Sequence, residues 1–174
     1  MSADELSELQ EHAEHGKHAG MAPVSLTMAV LAVAVAVVSL VGHRAHTEEV
    51  VLQAKASDQW AFYQAKNSRE HDDELFVASK NNGAEAEVRE TYAKEAERYK
   101  HEKDEIQTEA RSLEGEVATE RSRADRFDLA EVFLEIGLVI TSITLLSGKR
   151  LFWALGMVLG VVGIVVAATG LMVH

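Results

Sequence analysis

The chain has 174 residues, 17 Lys and Arg against 28 Asp and Glu, one proline and no cysteine. Its charge is unevenly spread: residues 24–42 and 151–173 carry none, whereas residues 43–131 carry 22 Asp and Glu with 14 Lys and Arg. So few prolines and aromatics exclude a sandwich or barrel, the acidic middle argues against a nucleic-acid partner, and disulfides are impossible.

The composition is that of an all-α chain. Residues 1–21 form an acidic, His-rich tail. Pro23 stands where proline is favoured, at a helix start, and "VSLTMAVLAVAVAVVSLVG" follows. Nineteen uncharged residues at ~1.5 Å each span ~28 Å, about one hydrocarbon thickness. A cleaved signal peptide needs a basic flank and a shorter apolar core, so residues 22–42 read as a retained transmembrane helix.

Residues 43–131 form the polar segment. "KNNG", at 80–83, is its one strong break, and a turn is expected over 80–84. After it, Tyr92, Tyr99, Ile106, Leu113 and Phe127 lie seven or fourteen residues apart, with Val88, Ala96, Ala110, Val117 and Ala124 at the alternate seam position. That heptad predicts a coiled coil. Before the break, Leu52, Ala56, Trp60 and Tyr63 recur at spacings of 4, 4 and 3. Folding the chain back at residue 82 sets Trp60 near Asp104 and Tyr63 near His101, with Ile106 and Tyr99 as apolar neighbours. The expectation is a long antiparallel coiled-coil helical hairpin between the first and second transmembrane helices.

The weaker run "LAEVFLEIGLVITSITLLSG" makes residues 129–147 a second transmembrane helix despite Glu135. Ser147-Gly148 turns it into the third, residues 151–173, with Phe152 and Trp153 at the interface.

The tail "EHAEHGKHAG", the helix opening "VSLTMA" and the segment "LVGHRAHTEEVVLQAKASDQWAFYQAK" resemble bacterial membrane proteins of domain-of-unknown-function family 4337. The resemblance is specific over residues 11–71 and continues as general architecture to the end. It implies a multi-pass protein of the bacterial inner membrane and transfers no catalytic residue.

Three constellations stand out. In the third helix Gly156, Gly160, Gly163, Ala167 and Gly170 recur at 4-3-4-3, as do Ser25, Ala29, Ala32, Ala36 and Ser39 in the first. Lipid is as apolar as leucine, so helices gain by close approach along small-residue stripes, within or between subunits. Glu135 is the one intramembrane charge. With Asp128 and Glu131 it forms a stripe that His43 and Arg44 are positioned to pair with, or it serves a proton or ion path. His12, His15 and His18 form a loose metal-binding tract, although spacings of three drift around a helix and do not converge. No nucleophile elbow, phosphate loop or zinc-protease motif occurs, so no enzyme activity and no cofactor are expected.

The functional expectation is a structural or scaffolding protein, homo-oligomeric, whose coiled-coil stalk, closed by the seam Trp60, Tyr63, Tyr92, Tyr99, Ile106 and Leu113, is presented to a protein partner at the hairpin. The alternative is an ion or proton channel or transporter component that uses Glu135. Counting Lys and Arg near the membrane puts the polar segment in the cytoplasm.

Overall fold

The computed structural model describes residues 3–79 and 86–173, with side chains from residue 21 onward. The expected turn at 80–84 and the side chains of His12, His15 and His18 lie outside the described residues. Among the described residues there are three helices: α1 (Ala3–Ala78), α2 (Ala86–Ser147) and α3 (Arg150–Gly170). Each is long and apolar enough to cross a membrane.

This corrects the expected architecture. Among the described residues there is no hairpin helix beyond these three. The polar segment is the continuation of α1 and the beginning of α2, because nothing between Gly42 and Ala78 breaks a helix. Gly42 itself stays helical, pressed against Phe127, whose Cβ is 3.3 Å from where a Cβ at Gly42 would sit. α1 also passes through Pro23, where a helix start was expected. One turn on, Thr27 Oγ1 donates to the Pro23 carbonyl at 2.8 Å.

The chain divides into two compact units, a bilayer unit of residues 1–45 with 122–174 and a polar unit of residues 46–121. In the bilayer unit α1 buries Val24, Leu31, Val38 and Ala45, every seventh residue. α2 buries Phe127, Ala130, Leu134, Gly137, Thr141 and Thr144 at 3-4-3-4-3. α3 buries Gly156, Gly160, Gly163 and Gly170. The core comprises Leu31, Val38, Phe127, Ala130 and Leu134. α2 runs antiparallel to both other helices, and α3 is parallel to α1. The α2–α3 turn is two residues long. It depends on Gly148 at φ +69°, a left-handed conformation that glycine adopts without a Cβ penalty, and the Gly148 N–H donates to Thr144 O at 2.8 Å.

In the polar unit α1 and α2 pair antiparallel without forming a coiled coil. Leu52, Ala56, Ala96, Ile106 and Ala110 are buried, but Trp60, Tyr63, Tyr92, Tyr99 and Leu113 stay part-exposed. Val88 is 40% exposed. Polar and ring contacts take the place of an interlocking apolar seam. Trp60 Nε1 donates to Glu114 at 2.8 Å, ten residues from its expected neighbour Asp104. Lys66 pairs with Glu102, and its Nζ lies 4.8 Å from the Tyr99 ring centroid and 5.4 Å from that of Phe62. Lys103 pairs with buried Glu70 and donates to Asn67 at 3.1 Å. Phe76 meets Tyr92 at 4.3 Å between centroids. A heptad on α2 requires an equal seam on α1, and α1 supplies Lys66, Asn67 and Glu70 instead.

These groups give the polar unit two opposed responses to acid. The Lys66 ammonium, by hydrogen bonding, holds the Glu102 carboxyl below its usual range. Asp73 is raised, first by burial and then by Glu95 and Asp72, against the pull of Arg98. The lowered Glu102 adds stability that is complete above its unfolded value of 4.5 and is lost as pH falls through its folded value. The raised Asp73 adds stability that is complete below 3.8 and is lost as pH rises through its folded value. Thermal melts from about pH 3 to pH 8 should separate them. Glu102→Gln should lower the melting temperature at neutral pH and converge on wild type in acid. Asp73→Asn should raise it at neutral pH and lose that gain in acid.

Gly115 offers a contrast with the membrane glycines. A Cβ there meets nothing within 4 Å. Gly115→Ala should therefore stabilise the helix by up to ~1 kcal/mol, seen as an unchanged or higher melting temperature.

Candidate helix-packing site in the bilayer unit

The closest contact in the bilayer unit is between α2 and α3. A Cβ on Gly137 would lie 2.9 Å from Gly156 O, and one on Gly156 would lie 2.7 Å from Gly137 O and collide with Thr141 Oγ1. At Gly163 it would meet Leu134 Cγ at 2.8 Å and Ala130 O at 3.0 Å. Backbone therefore rests on backbone, which is the approach that small residues permit in lipid. Thr141 Oγ1 donates to Gly137 O at 2.8 Å, so this buried hydroxyl is satisfied within its own helix. Gly160 faces a side chain instead, Leu31 Cδ2 at 2.5 Å from a hypothetical Cβ. Gly170 packs beside the Phe127 ring. At the opposite end Trp153 Nε1 donates to Thr27 Oγ1 at 3.1 Å, joining α3 to α1.

Gly137 and Thr141 escaped the sequence reading. Their signal was the 3-4-3-4-3 spacing of Phe127, Ala130, Leu134, Gly137, Thr141 and Thr144, which mixes small, apolar and hydroxyl residues. Hydropathy alone does not separate that face from its neighbours.

The two small-residue stripes lie differently. Gly156, Gly160, Gly163 and Gly170 are buried inside the bundle, whereas Ser25, Ala29, Ala32 and Ala36 are exposed on its outside and Ser39 is half-buried. α1 turns Val24, Leu31 and Val38 inward instead.

The charged residues at the bundle's end are only partly gathered. Asp128 Oδ1 lies against α1, 3.7 Å from a hypothetical Cβ at Gly42. His43 folds back one turn, its Nδ1 2.8 Å from Ser39 O and 3.4 Å from Ser39 Oγ. Arg44 is exposed and Glu131 half-buried. Glu135 faces outward and has no hydrogen-bond or ion-pair partner among the described residues. It is therefore joined to neither His43 nor Arg44 within one chain. No channel-lining group of glutamates occurs among the described residues, which overturns the channel or transporter alternative. The scaffolding expectation falls with the coiled-coil stalk it required. Among the described residues no group of three or more His, Asp or Glu is arranged to hold a metal.

The family model for the domain of unknown function DUF4337 matches residues 20–173. No curated protein and no solved structure matches the chain. The match covers α1 from just before Pro23 and the whole of α2 and α3, and agrees with the resemblance carried by "VSLTMA" and the segment after it. The chain is a multi-pass membrane protein, consistent with the bacterial inner membrane, and belongs to the DUF4337 family.

Proposed function

We propose that the protein acts as a subunit of a homo-oligomeric membrane assembly and is not an enzyme. The observation that carries this reading is the outward stripe of α1. Ser25, Ala29, Ala32 and Ala36 leave a shallow, exposed groove, while the chain's own close packing is supplied by the glycines of α3. Leucine or valine on that face would fill the space against lipid equally well. A small-residue groove gains by receiving another helix, whose backbone then approaches closely. Lipid covers the rest of the bundle, and the partner is a further copy of the chain.

The test is native mass measurement in nanodiscs. Wild type is expected as an oligomer. Ala32→Leu with Ala36→Leu should shift it toward monomer without lowering the helical content, whereas Leu155→Ala on the exposed side of α3 should leave the mass unchanged. A monomeric wild type, or an oligomer indifferent to the alanine substitutions, would overturn the reading.

A further inference from the structure

Glu135 is the outward group least suited to lipid. It lies seven residues beyond Asp128, about 10 Å along α2 at ~1.5 Å per residue. A polar group held in hydrocarbon without a hydrogen bond costs several kcal/mol, so such residues in membrane helices normally face a partner.

Its depth identifies what it meets. Phe127 lies opposite Gly42, and the helices are antiparallel, so eight residues along α2 to Glu135 correspond to eight back along α1, to Ala34. Helical side chains lean toward their own N-terminus. Glu135 therefore reaches back toward the level of Ala36 and Val37. Copies related by rotation about the membrane normal keep every residue at its depth, so a second copy presents its own Ser39 hydroxyl, which leans toward the α1 N-terminus, next to that level. His43, folded onto Ser39 at 2.8 Å, stands one turn further along the stripe. The ring occupies the Ser39 carbonyl and leaves the Ser39 hydroxyl to donate. Ala32 and Ala36 beside it let the helices come close enough for so short a reach.

We infer that Glu135 of one copy docks on the Ser39–His43 corner of the next copy's α1 and forms the polar contact of the subunit interface. This rests on the homo-oligomeric reading and names the residues that each copy contributes. No competing charge faces Glu135 from the packed helices, since α1 between Val24 and Gly42 and α3 between Leu151 and Gly170 carry no titratable group. On α2 itself the nearest are Glu131 and Asp128, at the membrane edge.

The absence of cysteine makes the test direct. Two tagged full-length chains, one Ala36→Cys at nearly the level of the Glu135 backbone and one Glu135→Cys, are co-expressed and oxidised in membranes. A disulfide-linked heterodimer is expected, and none when Val161→Cys, exposed on α3, replaces Glu135→Cys. Because cysteine at 135 removes the contact itself, the oligomer of Glu135→Leu is weighed beside it. One interhelical polar contact in lipid corresponds to a loss of about tenfold in association, and Glu135→Gln should recover most of it. An oligomeric wild type with no 36–135 crosslink and an unaffected Glu135→Leu would overturn this inference while leaving the oligomer standing. In that case Glu135 reaches lipid headgroups instead. A monomeric wild type would overturn both.

Discussion

Gly156→Ala should destabilise the protein more than Gly160→Ala, although both sit in the same α3 stripe. At Gly156 the new methyl group meets the Gly137 carbonyl at 2.7 Å and the Thr141 hydroxyl. Neither has anywhere to go, since Gly137 O accepts the Thr141 hydrogen bond and belongs to the α2 backbone. Helix α3 must move away from α2, and every contact from Leu134–Gly163 to the short turn at Gly148 shifts with it. At Gly160 the obstacle is Leu31 Cδ2 at 2.5 Å, the far end of a side chain that changes rotamer. Overpacking a well-filled core costs ~1–3 kcal/mol. Gly156→Ala belongs at the top of that range and Gly160→Ala at the bottom. Thermal melts in one detergent, with helical circular dichroism as the signal, measure the difference. Equal melting temperatures would show that the α2–α3 contact is looser than the backbone distances indicate.

Lys103→Met should weaken the polar unit, and adding Glu70→Leu should return much of the loss. Glu70 is 6% exposed and its carboxylate pairs with Lys103. Glu70 holds Lys103 above the ordinary lysine range by hydrogen bonding. Removing the lysine leaves a buried carboxylate whose desolvation is no longer offset. Breaking a buried pair from one side costs about 3–5 kcal/mol. The Lys103 side chain keeps 18% of its exposure, so water tempers this to the lower end of that range. Replacing both partners with apolar groups of similar size removes the unpaired charge, and such swaps are commonly near neutral. A double-mutant cycle read by denaturant or thermal unfolding checks it. Strictly additive losses would mean that the two side chains do not sense each other.

Several features were legible without coordinates. Uncharged runs of membrane length at 24–42 and 151–173, with the weaker one between them, determined three spanning helices. Length and hydropathy suffice for that, because a helix in lipid satisfies its own backbone. Ser147-Gly148 announced the short turn, which needs a residue tolerant of positive φ. The segment around "KASDQWAFYQAK" announced the family. The pairing of α1 with α2 was not legible. A heptad on one helix shows that it has an apolar seam, but the partner's sequence decides whether that seam interlocks. Lys66, Asn67 and Glu70 on α1 turned the contact into ion pairs and ring–cation contacts, and the helices pair a few residues out of the register expected from a fold at residue 82, with Trp60 meeting Glu114 instead of Asp104. Nor does sequence say which stripe faces inward. Ala29, Ala32 and Ala36 have the same spacing as Gly156, Gly160 and Gly163, and an apolar surface serves lipid and protein alike. Only the tertiary structure separated them: a glycine lets two backbones touch, and Gly137 on α2 provided the surface that α3's glycines fit, leaving α1 to meet the bundle through Leu31 and Val38 and to carry its alanines outside.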